Sequence, residues 1–326
     1  MNLLITGGLG YIGSLLVPYL RAKGHKLRVV DLGWFARREE MWGDEILGDI
    51  RFPQAEWFDG VEAVIHLAGV STDPQAGLMP DLCYSINAGG TATLAHYAKA
   101  AGVRRFIFAS SCSVYGYCPE VEVDEDYPTR PAFPYAVSKL MGERALQCLT
   151  DEDFRAVVLR KGTVGGWAPR MRWDLVVNTM TASGALKQKI QVYAPLVQRP
   201  LLDIRDAVLA YEWALTLDGP PYQVFNLVGN NYSVLTLGLR VHEALRLRGI
   251  AAEVEVGEGT DIRSYRASAA RAAAAGWTPR QVVGDTVWDI LTAAQEGRID
   301  HPDDPRCHNM QVFSELLASG RQGLRL

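Results

Sequence analysis

Along the first half of the chain, short apolar and β-branched runs alternate with longer stretches in which apolar residues return every three or four positions. The short runs at residues 2–6, 27–31, 63–66, 105–109 and 156–160 are mainly apolar or β-branched, which fits buried parallel strands. The stretches 10–22, 81–101 and 134–149 carry helical periodicity. Such alternation predicts an α/β fold, a Rossmann-type doubly wound parallel sheet. After about residue 165 the texture changes. Trp, Pro and Arg enter long connections at 166–173 and 194–200, with short strands and helices between them. The pattern predicts a Rossmann domain over residues 1–165, to which some later segments return, a smaller C-terminal lobe mainly over 166–300, and a tail over 301–326. The alanine-rich stretch 267–275 predicts a surface helix stopped at Gly276. The tail is polar and then briefly amphipathic at 312–317, with no chemistry assigned to it.

Composition narrows the classes. The chain has 326 residues, 48% of them hydrophobic, enough for a sizeable core. A net charge of −4 gives no general attraction to nucleic acid or to an anionic membrane. Anionic ligands must then be held by local arginines. The five cysteines (Cys83, Cys112, Cys118, Cys148 and Cys307) show no zinc or CxxC spacing. They are expected to be reduced thiols in a cytoplasmic protein, and no metal site is expected. The apolar start meets glycines after six residues, so a strand is expected there and not a signal peptide. No apolar run reaches the roughly 18 residues of a membrane span.

The sequence Gly7-Gly8-Leu9-Gly10-Tyr11-Ile12-Gly13 follows the first strand and opens the first helix. Glycines at 7, 10 and 13 permit a tight turn, close approach of a pyrophosphate, and close helix–strand packing. The helix N-terminus then offers free N–H groups to phosphates. Asp31 ends the next strand, 18 residues after Gly13. An acid there bonds both ribose hydroxyls and repels a 2′-phosphate, favouring NAD over NADP. Arg37 and Arg38 nearby read as solvated loop charges.

Ser110-Ser111-Cys112-Ser113 follows the run at 105–109, and Tyr135 and Lys139 lie at i and i+4 of a helix, on one face. A phenol with an ordinary pKa near 10 is a poor base at neutral pH. A neighbouring ammonium and an oxidised nicotinamide would both favour phenolate. The chain resembles the extended short-chain dehydrogenase/reductase family, in its NAD-dependent sugar epimerase/dehydratase branch. The resemblance spans about residues 1 to 290. It rests on Gly7–Gly13, Asp31, Gly48-Asp49-Ile50, His66-Leu67-Ala68-Gly69, Asn87 with Gly90-Thr91, residues 111–116, Tyr135 with Lys139, and Ala275-Gly276-Trp277-Thr278-Pro279. It implies that Ser111, Tyr135 and Lys139 form the catalytic triad. It also implies that Asp49 and Ile50 contact adenine, that Leu67, Ala68, Gly69 and Asn87 line the NAD site, and that Gly162 lies near the nicotinamide.

Residues 169–178, 199–206 and 261–265 are similar to a subgroup that includes nucleotide-sugar 4-epimerases and GDP-heptose 4-dehydrogenases. That similarity implies that Arg199 and Arg263 bind the diphosphate of a sugar nucleotide, a task that suits guanidinium forks. The same arginines could instead form ion pairs within the C-terminal lobe. Ser113, Thr163, Asp174 and Asn178 are expected substrate contacts. Tyr193 either borders the base or serves as a core aromatic.

The chain also departs from its relatives. The 4,6-dehydratase branch has Thr-Asp-Glu where this chain has Ser111-Cys112-Ser113, so dehydration is not expected. Lys161 is charged where the family has an apolar residue, and no role is assigned to it. The expected activity is oxidation and re-reduction at C4 of a nucleotide-diphosphate sugar, as in a 4-epimerase. A 4-dehydrogenase or 4-ketoreductase is the alternative, and a non-catalytic NAD-binding protein is the distant one. In the family the two long helices form a homodimer interface, for which Ala92, Ala95 and Leu146 are suited.

Overall fold

The computed structural model describes residues 1–35, 41–259, 263–299 and 301–320. In chain order, β1 (Asn2–Thr6), α1 (Gly13–Ala22), β2 (Lys26–Asp31), β3 (Ile46–Leu47) and β4 (Ala63–His66) come first. A helical run follows: α2 (Asp73–Leu78), α3 (Pro80–Cys83), a π-helical turn (Tyr84–Gly90) and α4 (Thr91–Ala100). Next are β5 (Arg105–Ser111), β6 (Cys118–Val123), α5 (Pro134–Leu149), β7 (Arg155–Lys161) and β8 (Thr163–Gly165). The later part contains α6 (Val176–Lys187), β9 (Lys189–Val192), β10 (Gln198–Asp203), α7 (Ile204–Ala214), β11 (Tyr222–Leu227), β12 (Asn230–Ser233) and α8 (Val234–Leu247). It ends with β13 (Glu253–Val256), β14 (Tyr265–Ala267), α9 (Ala270–Ala274), α10 (Val283–Gln295) and α11 (Asn309–Ala318).

Seven strands form one parallel sheet in the order β11-β7-β5-β4-β1-β2-β3. The fold is therefore the α/β, Rossmann-type sheet that the apolar runs predict. Two hydrophobic layers cover its faces. One gathers Leu16, Leu20, Ile65 and Tyr211 under α1 and α7, and the other gathers Leu94, Phe106, Phe108 and Leu146 under α4 and α5. The chain moves outward from β1 to β2 and β3, then restarts at β4 and proceeds the other way. The carboxyl ends of β1 and β4 are thus a topological switch point, where open α/β sheets hold their ligands.

The sheets β12-β10-β8 and β13-β9, with α6, α8 and α10, enclose a separate apolar cluster around Met180, Ile190, Val192, Leu237 and Val287. The expected helix over 267–275 is shorter. Residues 265–267 instead form β14, paired in parallel with β6, with Ala267 held at its N–H and C=O by the Asn231 side chain, and only Ala270–Ala274 coils. Gly276, at φ +94°, ends it. The tail contains α11, which folds back onto the sheet domain and buries Phe313 against Trp34, ring centroids 6.2 Å apart. Among the described residues, no helix is long and apolar enough to cross a membrane.

Candidate active site

A cavity of about 730 Å³ opens at this switch point. Its floor is the glycine turn between β1 and α1. Gly7, at φ +77°, packs so closely that a Cβ would lie 2.5 Å from the Ala68 nitrogen. Gly10 differs: a Cβ there would meet only Gly7 O, at 3.2 Å, and would occupy cavity space. Its lack of a side chain is what lets a ligand approach the backbone at the start of α1. Gly13, Tyr11 and Ile12 complete the turn and line the cavity.

Asp31 enters from the end of β2. One carboxylate oxygen accepts from Leu9 N–H (3.0 Å) and the other from Gly33 N–H (2.9 Å), which fixes the group at the cavity wall. Burial raises its pKa, and those backbone donors oppose the rise. Ile50, Leu67, Ala68 and Gly69 also line the cavity. This set fits a dinucleotide: a glycine cradle, a helix N-terminus and a ribose-facing acid. Arg37 and Arg38 lie outside the described residues.

Asp49 is not where adenine contact was expected. Its carboxylate is held by Arg51, through Nε (2.9 Å) and Nη2 (2.5 Å), away from the cavity lining. Asn87 also stays out of the lining. In the π turn its amide bonds Val70 N–H (2.8 Å), Val70 C=O (2.9 Å) and Ser138 Oγ (3.0 Å). It positions the Gly69–Val70 loop against α5 and offers nothing to a ligand directly. His66 bridges Thr6 Oγ1 (2.7 Å) and Thr91 Oγ1 (2.9 Å), and burial drives its pKa down to about 3, so the ring is neutral.

Ser111, Tyr135 and Lys139 meet at one wall. Ser113 Oγ donates to Ser111 Oγ at 2.9 Å, joining two hydroxyls at the end of β5. Burial pushes the Tyr135 phenol above its usual range, and a hydrogen bond from Ser111 pulls the other way. The Lys139 ammonium lies 6.0 Å from the Tyr135 ring centroid. Burial lowers its pKa to about 8. A buried network holds α5 in place. Ser110 Oγ donates to Glu143 (2.5 Å), Glu143 pairs with Arg160 (2.6 Å), and Arg160 donates to Tyr115 OH (2.9 Å). Cys112 is fully buried with its thiol donating to Arg160 C=O (3.1 Å), which leaves no acid or nucleophile at that position.

Lys161 is the residue that sequence reasoning could not place. Its strand position pairs with Ser111 across β5 and β7, its Nζ donates to Ser110 C=O (3.0 Å), and it lines the cavity. Burial and the neighbouring Lys139 lower its pKa to about 7.

More of the lining comes from the C-terminal half. Gly162, Thr163, Asp174, Tyr193, Arg199 and Arg263 all line the cavity. Arg263 reaches across to Asp73 at 3.4 Å, and Asp174 is paired with Arg172 at 2.7 Å. Tyr193 is 59% exposed, which places it at the rim and excludes the core alternative. Asn178 does not reach the cavity. Its amide is spent on Gly166 N–H (2.9 Å), Tyr11 OH (3.1 Å) and Arg172 C=O (2.8 Å), which makes it a support for the 166–172 segment. The sequence reading also missed Trp34, Phe35, Asn309 and Met310, which wall the cavity beyond Asp31. Among the described residues there is no cluster of three or more side chains able to hold a metal ion.

The profile of the NAD dependent epimerase/dehydratase family matches residues 3–228. The chain is 34% identical over 210 residues to UDP-glucose 4-epimerase of Azospirillum brasilense, a match covering 62% of this chain and 59% of that protein. It is 34% identical over 183 residues to the Rhizobium meliloti UDP-glucose 4-epimerase, covering 51% of this chain and 55% of that protein. The chain thus spans less than two thirds of these relatives' length. Among solved structures, Thermus thermophilus UDP-glucose 4-epimerase in complex with NAD superposes with a TM-score of 0.77 at 26% identity, covering 90% of this chain and 100% of that one. MoeE5 in complex with UDP-glucuronic acid and NAD superposes with a TM-score of 0.79 at 26% identity, covering 91% and 100%.

Proposed function

Since the chain belongs to the NAD dependent epimerase/dehydratase family, we propose that it is an NAD-dependent nucleotide-sugar 4-epimerase. The observation that carries this reading is one cavity lined together by the glycine turn and Asp31, by Ser111, Tyr135 and Lys139, and by Arg199 and Arg263. Relatives named UDP-glucose 4-epimerase, and solved neighbours holding NAD with UDP-sugars, support it.

NAD, when bound, would supply the hydride acceptor and donor that oxidation and re-reduction at the sugar C4 require. Every other task falls to the chain. Gly7, Gly10 and Gly13 would hold the pyrophosphate at the start of α1, and Asp31 the adenosine ribose. Tyr135 would take the proton of the C4 hydroxyl, with Ser111 and Ser113 holding that oxygen. Lys139 would hold the nicotinamide ribose, and its charge, with the nicotinamide's, would favour phenolate against the burial that opposes it. Arg199 and Arg263 would bind the substrate's diphosphate, so that the keto sugar turns over without leaving. Dehydration is disfavoured by the buried, hydrogen-bonded Cys112, which supplies no acid for water loss.

The test is absorbance at 340 nm when purified protein is mixed with UDP-, GDP- and dTDP-sugars, with the products analysed for C4 configuration. An epimer formed without lasting NADH supports the reading. Stoichiometric NADH with a released keto sugar replaces it with a 4-dehydrogenase, and inertness toward every sugar replaces it with a binding protein.

We further read the protein as a cytoplasmic homodimer. All five cysteines are free, including exposed Cys148, as suits a reducing compartment. The helical run and α5 pack side by side and present Tyr97 (40% exposed) and Met141 (49% exposed) outward, apolar surface that a second copy would cover. Of the residues expected at such an interface, Ala95 and Leu146 are fully buried in the protein's own core and cannot take part. Light scattering tests the dimer.

A further inference from the structure

The tail outside the family match is built into the cavity wall, and it positions a buried cation there. Arg170 lies on a segment that crosses the start of α1. Its N–H donates to Ser14 Oγ (3.2 Å), while Tyr11 OH donates to Gly166 C=O (2.5 Å). Residues 166–172 therefore pack directly against the glycine turn and the start of α1. The Arg170 side chain lines that cavity and is only 7% exposed. It lies over the Phe35 ring at 4.2 Å, close enough to Asp31 for its charge to act on that carboxylate. Nη2 donates to Arg306 C=O (3.2 Å) and to Asn309 Oδ1 (2.5 Å), both from the tail. Asn309 is held in turn by Ser71 Oγ at 2.9 Å.

Among the described residues the charge has no direct ion pair. Arg172, two residues on, has Asp174 at 2.7 Å, whereas Arg170 feels Asp174 and Asp31 only at a distance, and its Nε is buried without a hydrogen bond. Burial and the neighbouring Arg172 lower its pKa to about 10. A buried guanidinium in that condition is costly unless an anion meets it. The anion must reach a place between the start of α1 and Asp31, which is the dinucleotide's end of the cavity. Arg199 and Arg263 lie at the other end, near Tyr265 and Asp73.

We propose that Arg170, oriented by Arg306 C=O and Asn309, binds the pyrophosphate of the dinucleotide beside the glycine turn, which makes the C-terminal segment part of the cofactor site. This rests on the cofactor reading above. The test is calorimetry of wild type, Arg170→Met and Asn309→Ala with NAD, adenosine and UDP. Arg170→Met should weaken NAD by about 10- to 100-fold, the effect of losing a charge-assisted hydrogen bond. Adenosine, which lacks the phosphates, and UDP should bind as before. Asn309→Ala, which leaves the guanidinium in place, should weaken NAD by less. Undiminished NAD binding by Arg170→Met overturns the proposal, as does an equal loss for adenosine, or a loss for UDP alone. If Arg170→Met does not fold, Asn309→Ala decides, and unchanged NAD affinity overturns the proposal. Wild-type protein that binds no NAD overturns the cofactor reading and this inference with it.

Discussion

Replacing Lys161 with Met should stabilise the protein, and by an amount that falls as pH rises. In the fold, burial first and the Lys139 charge second lower the Lys161 pKa to about 7. In the unfolded chain it titrates near 10.5. The sign follows from proton counting. Between those values the unfolded state carries a proton that the folded state has shed, so stability rises with pH across that window and the penalty is full below it. Each pKa unit is worth about 1.4 kcal/mol, which sets an upper bound of about 4 kcal/mol at pH 7 and about 2 kcal/mol at pH 9. Coupling to Lys139 and relaxation around the site reduce both figures. Loss of the 3.0 Å bond from Nζ to Ser110 C=O subtracts about 1 kcal/mol more. The expected net gain for Lys161→Met is about 2 kcal/mol at pH 7, shrinking by about 1 kcal/mol or more by pH 9. Urea unfolding of both proteins at pH 7, 8 and 9 measures the difference directly. A difference that does not vary with pH, or a variant less stable at pH 7, would refute the reasoning, because Lys161 would then be charged and satisfied in the fold.

Three further outcomes are expected. Tyr135→Phe should keep NAD binding but lower turnover by roughly 10² or more, the scale of general acid–base catalysis, as steady-state rates with the accepted sugar will show. Asp31→Ala should weaken NAD and narrow its preference over NADP, measured by fluorescence titration with both cofactors; tighter NADP binding by the wild type contradicts the role given to Asp31. Arg199→Ala and Arg263→Ala should each weaken UDP or GDP binding by roughly 10- to 100-fold without changing NAD affinity. For Arg263 that loss must exceed the effect of removing its 3.4 Å ion pair with Asp73, which Asp73→Asn reports separately.

What was legible in the sequence was what short-range pattern encodes. The five mainly apolar runs locate five strands of the large sheet, since each holds a buried stretch of aliphatic or aromatic residues. The glycine turn, Asp31, Ser111, Tyr135 and Lys139 all come to one cavity, because each sits at a strand end or on a helix face fixed by local periodicity. Long-range pairing was not legible. Asn309 meets Ser71 across 238 positions, and nothing in the polar run before α11 signals that contact. Residue type also misled where the polar group is consumed internally, as with Asn178 and Asp49. Ala95 and Leu146 were misread for a different reason: a helix packed on two sides has two apolar faces, and periodicity does not say which one faces a partner.

The π turn at Tyr84–Gly90 divides the tolerance of its helix into two kinds. Upstream, Leu82 and Cys83 are fixed in the core; downstream, Thr91 is fixed on His66. Exposed Ser85 and Gly89 can change identity freely. Chain length in that stretch cannot change so freely. A π turn holds more residues than an α turn over the same rise. The extra residue is already absorbed by the wide turn, and one more would rotate one half against the other by about 100°. Asn87 could not then hold Val70 while Thr91 still met His66. Insertions should therefore be excluded from this turn even where single substitutions pass, which makes its upper length a stricter requirement than its sequence.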